Sequence, residues 1–111
     1  MTNLKFFKKD DKFVKVECSG HTGYDEFGKD VLCASISALV QACYLGLKDV
    51  LDIEPKLVRK DGYLSFELPK NLQIEILKNA QVLLKTLEIS IKDLCDGYSK
   101  YISMEVVEYV Y

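Results

Sequence analysis

Residues 31–47, VLCASISALVQACYLGL, carry no charge between Asp30 and Lys48. A helix over this run turns Ile36, Leu39, Val40, Cys43, Leu47 and, just beyond it, Val50 toward a sheet, while Val31, Ala38, Ala42, Tyr44 and Leu45 lie on other faces. A helix without a polar stripe is buried on more than one side. In a chain of 111 residues the second cover is expected from another subunit, which predicts a homodimer. The run is short for a membrane span and holds Ser35, Ser37 and Gln41, so the reading is a buried helix over residues 31–51 and no membrane association.

Around that helix the periodicity changes. Residues 4–9 and 13–18 read as a hairpin turned at Asp10-Asp11, with Val14, Val16 and Cys18 on the apolar face of the second strand. Residues 56–60 and 63–68 flank Asp61-Gly62, a two-residue turn signal because both positions accept positive φ. Asn71 is placed to cap a second helix. In that helix Leu72, Ile76, Ala80, Leu83, Leu84, Leu87, Ile91 and Leu94 recur at steps of three and four, until Asp96-Gly97 ends it. Residues 101–110 supply a last strand with Ile102, Met104 and Val106 inward. The order ββαββαβ predicts one α+β domain over residues 1–111, a two-layer sandwich of a mixed or antiparallel sheet under two helices.

A net charge of -2 and a pI near 5.4 leave no electrostatic footprint for nucleic acid, so direct nucleic-acid binding is not expected. Lys5, Lys8, Lys9 and Lys12 cluster, but Asp10 and Asp11 interrupt them, as on a solvated hairpin. The first residues place lysines where a secretory signal has its apolar core. The four cysteines then read as reduced thiols in the cytoplasm. The only metal-like spacing is Cys18-x-x-His21, and residues three apart on a strand face opposite ways. Neither a metal nor a cofactor is expected.

The chemistry concentrates in SGHTGYDEFGKDVLCASIS, residues 19–37, which holds the one histidine of the chain. With Asp30 as N-cap, Cys33 falls in the first helical turn, where unsatisfied amides and the macrodipole favour a thiolate. His21, at the end of the second strand, reaches that thiol if the loop folds back. The pair is then a nucleophile and its base, with helix-start amides as the oxyanion site. Asp30 either orients His21 or only caps the helix, and spacing favours the cap. Ser37, one turn beyond Cys33, supports the site from the same face. Gly20, Gly23 and Gly28 let the loop approach closely. The same residues also fit a packing thiol and a structural histidine.

Gly20-His21-x-Gly23-Tyr24, then Gly28-x-Asp30, then Cys33-Ala34-x-x-Ser37 resembles the signature of the bacterial ribosomal-processing cysteine protease family, Prp, and the order of elements resembles that family over essentially the whole chain. The resemblance implies a small α+β homodimer that removes the N-terminal extension of ribosomal protein L-twenty-seven after paired aromatic residues. It makes Cys33 the nucleophile and His21 the base, with Asp30, Ser37 and Gly20 in support. Residues 22–32, with Gly23, Tyr24, Phe27 and Gly28, then correspond to a segment that orders around the substrate. Tyr24 and Phe27 serve there as pocket or lid residues, or as anchors of the loop. Two other classes fit less of the sequence. A non-enzymatic ribosome-assembly factor, binding a ribosomal protein or rRNA, leaves Cys33 and His21 without a task. A thiol-transfer protein lacks a C-x-x-C motif and an evident resolving cysteine, because Cys43 and Cys95 read as core.

Overall fold

Asp10 and Asp11 take φ of 52° and 65°, the left-handed region that aspartate tolerates better than most residues. They join β1 (Thr2–Lys9) to β2 (Lys12–Ser19) in an antiparallel hairpin. The structure, a computed structural model, describes residues 1–20 and 27–110, the side chains of residues 27–30 excepted. β1 buries Thr2, Leu4 and Phe6 on one face.

In β2 the buried residues are Phe13 and Val16, which simple alternation would put on opposite faces. The register explains this. Phe7 pairs with Lys15 and Lys8 with Phe13, so Val14 is left over as a bulge. One inserted residue reverses the in–out parity, and Phe13 takes the core position expected of Val14. The disturbed backbone finds a partner elsewhere. Gln81, buried on the second helix, accepts from the Phe13 amide at 2.7 Å and donates to the Phe13 carbonyl at 2.8 Å.

β3 (Lys56–Lys60) and β4 (Tyr63–Glu67) form the second hairpin, with Gly62 at φ 71° in the predicted turn. β4 pairs antiparallel with β2, and β5 (Ile102–Glu108) pairs parallel with β1, giving the order β3-β4-β2-β1-β5. The sheet is therefore mixed, and the element order is the predicted ββαββαβ.

α1 (Phe27–Leu45) runs into a π-helical turn (Gly46–Val50), and α2 spans Ile74–Gly97. Ile36, Val40 and Leu47 from the first helical segment meet Ala80, Leu84 and Ile91 of α2 over Phe6, Val16 and Phe66 of the sheet. Val31–Val50 is long and apolar enough to cross a membrane by composition, yet Ile36, Val40, Cys43 and Leu47 within it are buried here against the core. At the helix crossing a Cβ on Gly46 would stand 3.0 Å from a Leu83 methyl, so glycine permits the close approach. The opposite sheet face mixes charged side chains with the rings of Phe7 and Tyr109. Lys5 pairs with Glu105 and Lys15 with Glu17, each at 3.6 Å, and the Tyr63 hydroxyl donates to Glu17.

Four further expectations are corrected. α1 starts at Phe27, so Asp30 lies inside the helix and is not its N-cap; a carboxylate suits the first turn as well as the cap, and its presence alone does not mark the boundary. The N-cap of α2 is Gln73, without a side-chain cap bond, while Asn71 sits at φ 65°: asparagine is used here for its left-handed tolerance. Val50 is exposed beyond the end of the sheet-facing stripe. Val106 is 43% exposed, because β5 is an edge strand and burial fades along it after Ile102.

Candidate active site

β2 is followed directly by Gly20, which has φ of 86° and whose amide donates to the Gly62 carbonyl at 2.9 Å. A Cβ there would sit 2.4 Å from the Met1 carbonyl oxygen. Any side chain is thus excluded by conformation and by space together. The bond to Gly62 brings the exit of β2 beside the tip of the second hairpin.

Under α1, at this end of the sheet, lies a cleft of about 280 Å³. Thr2, Cys18 and Gly20 line it from β1 and β2, Cys33 and Ser37 from α1, and Arg59 from β3. Three of the predicted site residues, Gly20, Cys33 and Ser37, therefore share one wall-to-wall space. Cys33 is half-buried in the second turn of α1, and Ser37 is exposed one turn later. His21, Gly23 and Tyr24 lie outside the described residues, as do the side chains of Phe27 and Asp30 in the opening turn of α1, where Gly28 also lies. Among the described residues no three His, Cys, Asp or Glu side chains gather to hold a metal ion.

The early start of α1 changes the electrostatics expected at Cys33. Orphan amides belong to the first turn of a helix, and the macrodipole acts mainly there. With Phe27 as the first residue, those amides lie a turn before Cys33. The oxyanion site predicted at the thiol from helix-start amides is therefore displaced from it.

Three residues of the cleft were missed by sequence reasoning. Thr2 lay outside the predicted first strand, yet its hydroxyl is buried and, among the described residues, is the one buried side-chain polar atom without a hydrogen-bond partner. Arg59 carries no local signal that would separate it from its neighbours on β3. Cys18 was placed in the core by alternation, and it does pack against the core, but it also faces the cleft. Only the pairing of β2 with β4 and the position of α1 reveal this.

Burial acts on the other three thiols in a way that can be measured. Burial, with a smaller contribution from the charge of Cys33, pushes the Cys18 thiol up to about 11. Burial pushes Cys43 up to about 12, and its thiol donates to the Leu83 carbonyl at 3.7 Å. Cys95 is also raised, by desolvation first and then by Asp96. A raised pKa means less thiolate at neutral pH and slower alkylation. Iodoacetamide between pH 6 and 8 is therefore expected to label Cys33 before the other three, as read by peptide mass spectrometry. Labelling of Cys18 or Cys43 first would contradict the burial just described.

Comparison with known proteins places this arrangement. The family described as Cysteine protease Prp matches residues 1–103. The ribosomal processing cysteine protease Prp of Bacillus subtilis (strain 168) is 30% identical over 91 residues, covering 80% of this chain and 81% of that protein. Two crystal structures of the essential ribosomal processing protease Prp from S. aureus share the fold. The one with a covalently linked product peptide matches at a TM-score of 0.81 and 22% identity, over 96% of this chain and 99% of that one. The one with a substrate peptide matches at 0.82 and 20% identity, with the same coverage. A thiol in a cleft on this α+β scaffold, in a sequence matched by that family almost from end to end, identifies the chain as a member of the Prp family of cysteine proteases, which act in ribosomal processing.

Proposed function

We propose that the cleft under α1 binds and cuts the N-terminal extension of ribosomal protein L-twenty-seven after paired aromatic residues, with Cys33 as nucleophile and His21 as base. The observation that carries this reading is the shared cleft: Gly20 at the end of β2 and Cys33 and Ser37 on α1, all motif residues, line it together. The S. aureus relatives hold a substrate peptide and a covalently linked product peptide, which supports peptide chemistry at this site.

In the proposed reaction His21 takes the proton of Cys33, and the thiolate attacks the carbonyl carbon of the scissile bond. His21 then protonates the leaving amine, the C–N bond breaks, and water hydrolyses the thioester to a carboxylate. With the helix start a turn away, the dipole contributes little, and activation of the thiol falls to the imidazole. Asp30, no longer a cap, supports His21, and Ser37 supports the cleft wall. Gly23, Tyr24, Phe27 and Gly28 form the substrate loop. The unpartnered Thr2 hydroxyl is a donor of the kind a peptide carbonyl satisfies.

The protein acts as a cytoplasmic homodimer in this proposal. The surface that supports a dimer is the stripe of Val31, Ala34, Ala38, Ala42 and Leu45, exposed at helical spacing along α1. The deciding experiment is incubation of the protein with a peptide carrying the L-twenty-seven extension, followed by mass spectrometry. One cut after the aromatic pair is expected, and its loss when both aromatics are replaced by alanine. Equal cutting of the two peptides would remove the aromatic specificity, and no cutting of either would remove this substrate.

A further inference from the structure

Alternation along β2 makes Cys18 a packing residue and leaves the chain without a thiol able to answer Cys33. The tertiary structure supplies one. Cys18 lies near the end of β2, on the face turned to the helices, at the register position of Leu4 and Leu64. Cys33 comes from the second turn of α1, and the two line the same cleft. They are near enough for the charge of Cys33 to raise the pKa of Cys18. Cys43 and Cys95 are not in this cleft. The first is buried with its thiol on the Leu83 carbonyl, and the second belongs to α2 and packs against the core.

We propose that Cys18 and Cys33 are a redox modification site, joined by peroxide into a reversible disulfide across the cleft. The Cys33 thiolate attacks one oxygen of hydrogen peroxide and the O–O bond breaks. Hydroxide leaves and takes a proton to become water, and Cys33 becomes a sulfenic acid. Cys18 then loses its proton and attacks the Cys33 sulfur. The S–S bond forms, the S–O bond breaks, and the departing hydroxide leaves as a second water. Two thiols and one peroxide thus yield one disulfide and two waters. A dithiol reductant restores both thiols by exchange.

Two physical consequences follow. The burial that keeps Cys18 protonated slows its attack, because the thiolate is the attacking form, so cross-linking runs faster at pH 8.5 than at pH 7. The bond also requires the two Cα atoms to stand within roughly 7 Å, which closes this end of the cleft around the sulfurs. A sulfur held in a disulfide is spared the irreversible step to sulfinic acid. Loss of proteolysis on oxidation rests on Cys33 being the nucleophile, whereas the cross-link itself does not.

The test treats the full chain with a small excess of hydrogen peroxide, blocks remaining thiols with iodoacetamide after denaturation, and digests without reductant. Trypsin places Cys18 in residues 16–29, and Cys33 together with Cys43 in residues 30–48, so fragment ions must assign the bridged sulfur. The expected product is a Cys18–Cys33 bridge that dithiothreitol removes, formed faster at the higher pH. In Cys18→Ser no bridge forms and Cys33 proceeds to sulfinic acid. Peptidase activity regained on reduction, taken as a fraction of each protein's own starting value, is then high for the wild type and low for Cys18→Ser. Wild-type Cys33 passing to sulfinic acid while Cys18 stays open to alkylation would overturn the proposal, as would a bridge to Cys43 or Cys95 in its place. A bridge that forms while activity persists would leave the disulfide standing and remove Cys33 as nucleophile.

Discussion

Cys33→Ala is expected to cut peptide with kcat/KM lowered by about a thousandfold or more, with His21→Ala close behind and the double variant no slower than the worse single one. The last result is the informative one. When a nucleophile and its base act as a unit, removing either costs nearly as much as removing both; two independent contributors would multiply. The loss is expected in kcat, because the cleft walls proposed to hold the peptide, including Ser37 on α1 and Arg59 on β3, remain in place. Cys33 is half-buried on a helix whose core contacts come from Ile36, Val40 and Leu47, so the alanine variant should keep its circular dichroism and melting temperature. Cleavage at an undiminished rate by either single variant would end the nucleophile–base assignment. It would leave the family membership, which rests on the match over residues 1–103, untouched.

Gln81→Leu is expected to destabilise the fold by about 3 kcal/mol, read as a lower urea midpoint with an unchanged m-value. The change conserves volume approximately and puts an apolar side chain between buried Ala80 and Leu84, so packing contributes little of the effect. What it removes is the pair of bonds to the Phe13 amide and carbonyl, at 2.7 and 2.8 Å. Both backbone groups are then buried without a partner, and each such group costs about 1–3 kcal/mol. That is a large part of the 5–15 kcal/mol by which domains of this kind are usually stable. Thr86→Val on the same helix makes the control. Its hydroxyl bonds to the Val82 carbonyl at an exposed position, and its replacement should shift stability by about 0.5 kcal/mol or less. Equal effects from the two variants would mean that the bulge does not depend on Gln81.

The membership in a protease family removes the two rival readings of the sequence. An assembly factor without chemistry is not what the matching relatives are, and neither is a general thiol-transfer protein. The redox question nonetheless returns in a narrower form. The objection to thiol chemistry was the want of a second cysteine, and Cys18 in the cleft meets it.

Local rules were enough wherever the backbone answers to its immediate neighbours. Asp61-Gly62 fixed a turn because glycine takes positive φ without strain, and β3 came out at Lys56–Lys60 as read. The three- and four-residue steps of α2 gave its buried stripe, Ala80, Leu84, Leu87 and Ile91, because 3.6-residue periodicity is a property of the helix itself. The motif around His21 and Cys33 was legible for the same reason, as residue types at fixed spacing.

Long-range contacts decided the remainder. The bulge at Val14 holds because Gln81, far along the chain, satisfies the Phe13 backbone, and nothing within β2 announces it. The parallel pairing of β5 with β1, and with it the strand order, depends on where α2 returns the chain. Asp30 marks no boundary, since cap and first turn both welcome a carboxylate and only the helix start at Phe27 tells them apart. Cys18 stands across a cleft from Cys33 because β2, β4 and α1 meet there. Sequence determined which elements form and which side chains are candidates for chemistry; which of those side chains share a space is settled only when distant segments pack, since proximity between them is written in no local pattern.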